Sequence, residues 1–195
     1  MKICLLTVGL AVSVLTQAHA SDSIHLTAAP VTRDSTVTAI PSMNDMTGEI
    51  VHLLGLQQNF ELREANVLNI EACVKRRKRL IRYNPEYIAW VNQVTGDKWA
   101  SMALIAHEIG HHLNGHTLRR SGSRPALELE ADEFAGYVLG QLGATLEQSQ
   151  RVMKFIARKR TSKTHPARDL RMAAIRAGWQ KAKGINKSES LATAR

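Results

Sequence analysis

The sequence has little cysteine: two residues in 195, Cys4 and Cys73. Cys4 lies in a segment expected to be removed, so the mature chain keeps Cys73 alone. That excludes an intramolecular disulfide, and with it the stapled scaffolds of small exported domains. Cys73 is expected to be a buried structural thiol. Long apolar runs are missing after the first twenty residues, which excludes a membrane-spanning helix in the mature chain. No internal repeat is present. Acidic residues are also scarce, with 17 Asp and Glu against 26 Lys and Arg.

The one long apolar stretch stands at the N-terminus. Lys2 precedes "ICLLTVGLAVSVL", and "AHA" at Ala18 to Ala20 is a small-x-small cleavage site. This predicts a secretory signal peptide over 1–20, cleaved near Ala20, and a periplasmic or secreted product. Losing Lys2 leaves a net charge of about +8. For an exported chain, the expected partners are protein or peptide substrates and, peripherally, an anionic membrane surface; no nucleic acid is expected.

Residues 21–42 are rich in Ser, Thr, Ala and Pro without helical period and predict a flexible leader. Residues 43–180 form the expected domain, and 181–195 a polar, disordered tail. Ile50, Leu53, Leu54 and Leu56 predict an amphipathic helix. Val67 to Val74 and Leu80 to Tyr83 flank the basic stretch Lys75 to Arg79 and predict a β-hairpin. Beyond Asn84-Pro85 the pattern is helical. "PEYIAWVNQVTG" runs from a proline start to a glycine stop. A helix follows through "DKWASMALIAHEIGHHLNGHT", residues 97–117, with Asp97 as its cap. Others are expected to end at Gly143, to start at Thr145 and to start near Pro166. The fold class is therefore α+β, mainly helical, with a small sheet.

The chemistry concentrates in "ALIAHEIGHHLNGH". His107-Glu108-Ile109-Gly110-His111 is H-E-x-x-H. Helical positions four apart lie about 40° apart around the axis, so His107 and His111 point the same way and can share a zinc ion. Glu108 flanks them and can handle the proton of a water in the site without ligating the metal. Met102, Ile105, Ile109 and Leu113 fall on the opposite side and are expected to pack on the core. Gly110 suggests a close approach at that point of the helix. His112 and His116 lie about 140° and 180° from His107 on an unbroken helix, which excludes both as ligands. His116 is expected to be a partly buried, hydrogen-bonded histidine. A metzincin would need Gly at position 114 and His at 117, where this chain has Asn114 and Thr117.

A catalytic zinc site needs a third protein ligand and one open position. The best remaining carboxylates are in "ELEADEFAG". Glu128 and Asp132 share a helix face, and Glu128 as ligand would place Asp132 to orient a ligating histidine. Glu130 and Glu133 are expected to be solvated surface charges. Spacing alone leaves Glu128 open against its neighbours.

H-E-x-x-H followed by E-x-E-A-D resembles the M-forty-eight peptidase family of gluzincins, which includes HtpX-type and prenyl-protein proteases. The family helix reads H-E-x-x-H-x-x-x-x-H, and His116 falls on its last position. The family's second helix matches Glu128 as metal ligand and Asp132 four residues on. A downstream T-H-P-x-x-x-x-R element matches Thr164-His165-Pro166 and Arg171. The resemblance covers roughly residues 65–180 and implies a zincin-type metalloendopeptidase domain, compact and without transmembrane helices. It implies one zinc per chain, His165 in the cleft and Arg171 paired with a carboxylate there. The expected function is hydrolysis of unfolded or misassembled exported proteins in quality control. Strand addition along Leu80, Ile81, Arg82 and Tyr83 is the expected mode of substrate binding. Two other functions are weighed against it: a chaperone or adaptor with rare or gated hydrolysis, and a basic module on the membrane surface.

Overall fold

The computed structural model describes residues 40–118 and 124–184, together with the backbone of Ile3 and Cys4. The remainder of the expected signal peptide, the leader up to residue 39 and the tail beyond 184 lie outside the described residues. The architecture is α+β and mainly helical. In chain order it comprises β1 (Ile3–Cys4), α1 (Met43–Leu53), β2 (Glu61–Glu64), β3 (Ile70–Lys75), β4 (Lys78–Tyr83), α2 (Pro85–Thr95) and α3 (Trp99–Leu113). A 3-10 turn over His116–Leu118 precedes α4 (Pro125–Gln141), α5 (Leu146–Ile156) and α6 (Arg168–Ala182). No described helix is long and apolar enough to cross a membrane.

Local chemistry sets most of the helix ends. Ser42 and Asp45 form a capping box at the start of α1, and Thr145 and Gln148 form one at α5. The Asn84 side chain accepts from the N–H groups of Glu86 and Tyr87, Pro85 opens α2, and left-handed Gly96 closes it at φ 73°. Asp97 stands one residue before the N-cap position of α3, yet its Oδ1 still accepts from Trp99 N–H at 3.0 Å. The hairpin turn is shorter than expected, only Arg76-Arg77, because pairing continues to Lys75 opposite Lys78. α6 starts at Arg168, near Pro166 as expected.

The sheet order is β1-β3-β4-β2. β3 and β4 are antiparallel, with Ile70 opposite Tyr83, and β2 lies parallel to β4 on its other side. This corrects the expected substrate strand. Leu80, Ile81, Arg82 and Tyr83 sit in an internal strand whose backbone is paired on both sides, so no further strand can add there. β2 was not foreseen because "ELRE" has no apolar alternation; its pairing with β4 and the Glu61–Lys78 ion pair at 2.9 Å hold it.

α3 is the central element. Every residue from Ala100 to His112 is buried, packed by α1, α2, α4, α5 and the sheet. Met102, Ile105 and Ile109 pack inward as expected, but Leu113 does not and is 43 % exposed. Gly110 faces Phe134 of α4, whose ring would lie 3.0 Å from an added Cβ. α4 and α6 approach still more closely. A Cβ on Gly136 would fall 2.0 Å from Ile175 O, and one on Gly178 would fall 1.8 Å from Glu133 O. Only glycine permits that crossing, and it brings the inner face of α6 to the acidic face of α4.

Candidate metal centre

The site forms where α3 meets α4. His107 and His111 lie one turn apart on α3, and their Nε2 atoms are 3.1 Å apart. Glu128 of α4 closes the triangle: Oε2 is 3.4 Å from His107 Nε2 and Oε1 is 3.4 Å from His111 Nε2. All three side chains are buried, and together they form a group that can hold a metal ion. Two ring nitrogens at this separation either share one proton or turn both lone pairs toward a common cation. The carboxylate beside them suits the second arrangement.

Each histidine is held from behind. His107 Nδ1 lies 2.9 Å from Asp132 Oδ1. Asp132 is gripped by Arg171, whose Nε and Nη2 each donate to a carboxylate oxygen at 2.7 Å. Arg171 Nη2 also lies 3.9 Å from Glu128 Oε2. Asp132 thus lies behind His107, and Arg171 pairs with Asp132. His111 has a second chain, which helical spacing did not reveal. Its Nδ1 lies 2.9 Å from His116 Nδ1, and His116 Nε2 lies 2.9 Å from Glu130 Oε2. α3 ends at Leu113 and Gly115 takes φ 69°, so the chain doubles back and carries His116 to the rear of His111. The 180° separation applies only to an unbroken helix. Glu130 is therefore tied into the site, although its side chain remains 55 % exposed. Glu133 pairs with Lys181 at the surface. The sequence signal that pointed to His116 was its place at the end of H-E-x-x-H-x-x-x-x-H.

The electrostatics follow from burial and these partners. Burial works against charge on His107, but Asp132 and Glu128 outweigh it and raise the ring to about 10. Burial lowers His111 to about 4, against the pull of Glu128. Glu128 is buried as well, yet the two histidines hold its carboxyl well below the usual range. Burial opposes ionisation of Asp132 too, but Arg171 and His107 hold it low. Glu108 is pushed up by burial to about 8, with the His107 charge working against the rise. Its Oε2 accepts from Ala72 N–H of β3 at 2.5 Å, which fixes the carboxylate between α3 and the sheet.

His165 comes into the site from the loop before α6. Its Nδ1 lies 2.8 Å from Thr164 Oγ1, and its Nε2 lies 3.7 Å from Glu128 Oε2. That Nε2 is buried without a hydrogen-bond partner among the described residues, and His165 lines the same cavity as His107, Glu108 and Glu128. Asn69, Ile70 and Tyr87 line the cavity too and were not singled out from the sequence. The free space amounts to about 20 Å³, room for a single water molecule.

No family model matches the chain, and neither does any curated protein or solved structure.

Proposed function

We propose that the protein is a zinc-dependent metalloendopeptidase of the gluzincin type, acting on unfolded or misassembled exported proteins. One observation carries this reading: the convergence of His107 Nε2, His111 Nε2 and Glu128 at 3.1 to 3.4 Å, with Glu108 beside them. Tetrahedral zinc at bond lengths of about 2.0–2.1 Å needs ligand atoms about 3.3 Å apart. The three motifs that resemble M-forty-eight peptidases supply both ligating helices and the His165–Arg171 element, which supports the same reading.

Bound zinc would supply a Lewis acid that acidifies a water and polarises a peptide carbonyl. Glu108 takes the proton from the attacking water and returns it to the departing amine, which leaves as a neutral group. A carboxylate lifted toward neutral pH suits both transfers. His165 Nε2, lacking another partner among the described residues, is placed to donate to the oxygen on which negative charge develops. Arg171 acts through Asp132 and keeps His107 in the tautomer that leaves Nε2 free. With β4 internal and β3 covered by β1 at Cys73 and Val74, loss of the expected signal peptide would remove β1 and free the outer edge of β3, where an extended peptide could align beside Ala72 and Glu108.

The protein is expected to bind one zinc per chain. Glu108→Gln should retain the ion while peptide hydrolysis drops by about 10²- to 10⁴-fold. Normal hydrolysis in that variant would refute the mechanism, and full zinc retention by Glu128→Ala would reassign the third ligand. The small cavity, with about 20 Å³ of free space, supports a second reading, in which the protein chiefly holds exported clients and hydrolysis is gated. Rescue of a deletion phenotype by Glu108→Gln would favour holding over cutting.

A further inference from the structure

We infer that the tip of the β3–β4 hairpin and the end of α3 form a docking surface for anionic lipid headgroups. The inference is independent of the metal site and starts from the turn. Arg76 and Arg77 join the strands in a two-residue loop, and both have positive φ, 51° and 65°. A loop of this kind favours Asn-Gly, because a long side chain at positive φ crowds its own backbone. Two consecutive arginines carry that strain twice. Nothing within the described fold repays it: Lys75, Arg76 and Arg77 are exposed and meet no acidic group among the described residues. The two neighbouring cations are engaged at home. Lys78 pairs with Glu61 at 2.9 Å, and Arg79 Nη1 donates to His112 O at 3.3 Å.

That last bond joins the tip to the end of α3, and His112 Nε2 reinforces it at 3.1 Å from Leu80 O. Leu113 and Leu118 follow His112, on the segment packed against β3, and are 43 % and 60 % exposed. Between Glu108 and Glu128 the sequence has no acidic residue. Cations and exposed leucines therefore share one end of the molecule. An acidic peptide would need only the cations. A bilayer surface uses both, with headgroup phosphates meeting the arginines and the leucines entering the boundary of the acyl chains. The expected export signal gives the chain access to such a surface.

The test is sedimentation of the full chain with vesicles of phosphatidylglycerol and phosphatidylcholine, against phosphatidylcholine alone. Binding should require the anionic lipid and weaken as salt rises. Replacing the turn by the residues its geometry favours, Arg76→Asn with Arg77→Gly, should weaken binding by about fivefold per arginine, roughly 25-fold in all. The same change should raise the melting temperature by a few degrees. That gain separates lost binding from lost folding. Arg76→Lys with Arg77→Lys should keep most of the binding, and Leu113→Ser with Leu118→Ser should reduce what survives at high salt. No binding to anionic vesicles, or unchanged binding in the Asn-Gly variant, would overturn the inference. Capture by polyglutamate without capture by vesicles would overturn it in favour of an acidic protein partner.

Discussion

At the scale of single residues, the site is two histidines with opposite proton affinities and separate supports. His107 is held near Asp132 and Arg171 and raised to about 10, so without metal it carries its proton at neutral pH. His111 is lowered to about 4 and does not. A metal ion needs the lone pair on both. Metal uptake at pH 7 should therefore release about one proton per ion from His107, measurable by calorimetry in buffers of different ionisation enthalpy. Uptake without proton release would mean that His107 is already neutral. The support behind His111 makes its own prediction. For His111 Nε2 to face the metal, its Nδ1–H must donate to His116 Nδ1, and His116 Nε2–H must then donate to Glu130. Glu130→Gln keeps the size of the side chain but removes the charge that orders this chain. It should weaken metal binding by roughly tenfold with little loss of fold stability. Unchanged affinity in a chelator competition would show that the relay to Glu130 has no hold on His111.

At the scale of elements, the crossing of α4 and α6 sets how firmly Asp132 is gripped. Gly136→Ala places its Cβ 2.0 Å from Ile175 O, and Gly178→Ala places its Cβ 1.8 Å from Glu133 O. Both obstacles are backbone and neither can turn aside. Each variant should lose about 3 kcal/mol or more in denaturant unfolding. Each should also bind metal more weakly, because separating the helices pulls Arg171 from Asp132. A variant that kept both properties would show that the helices can slide without disturbing the clamp. The same elements show what a sequence can and cannot convey. His107 and His111, and Glu128 and Asp132, are each one turn apart on a helix, so their shared faces follow from spacing alone. The joining of those faces depends on α4 and α6 closing at their glycines, and no periodicity carries that. His116 is buried and hydrogen-bonded as expected, but the angle around α3 could not place it, because the helix has ended before Gly115. β4 was taken for an edge because its neighbour β2 has three charged residues in four and gains its strand conformation from the pairing.

At the scale of the whole molecule, buried charge makes stability depend on pH in a direction that metal should alter. His107 has a higher proton affinity folded than its ordinary value of about 6.5. Its contribution is fully present below that value and is lost as pH rises toward about 10. Glu108 acts in the same sense, although it is an acid. Its ordinary value is about 4.3 and burial raises it to about 8. The folded state therefore keeps a proton that the unfolded state has given up, and stability falls across that interval. Glu128 and Asp132, both held low, contribute in the opposite sense, and their contribution is lost only as pH falls below the ordinary carboxylate range. The metal-free protein should accordingly be most stable in mildly acid solution and should weaken steadily from about pH 6 to 9. With metal bound, His107 has no proton to lose, and the ion adds binding free energy that grows as competing protons become scarce. The melting temperatures of metal-loaded and chelated protein should therefore diverge by several degrees between pH 6 and pH 9. Scanning calorimetry on both forms at the two pH values measures that gap. A gap of equal size at both would mean that the His107–Asp132–Arg171 cluster does not govern how metal binding is coupled to folding.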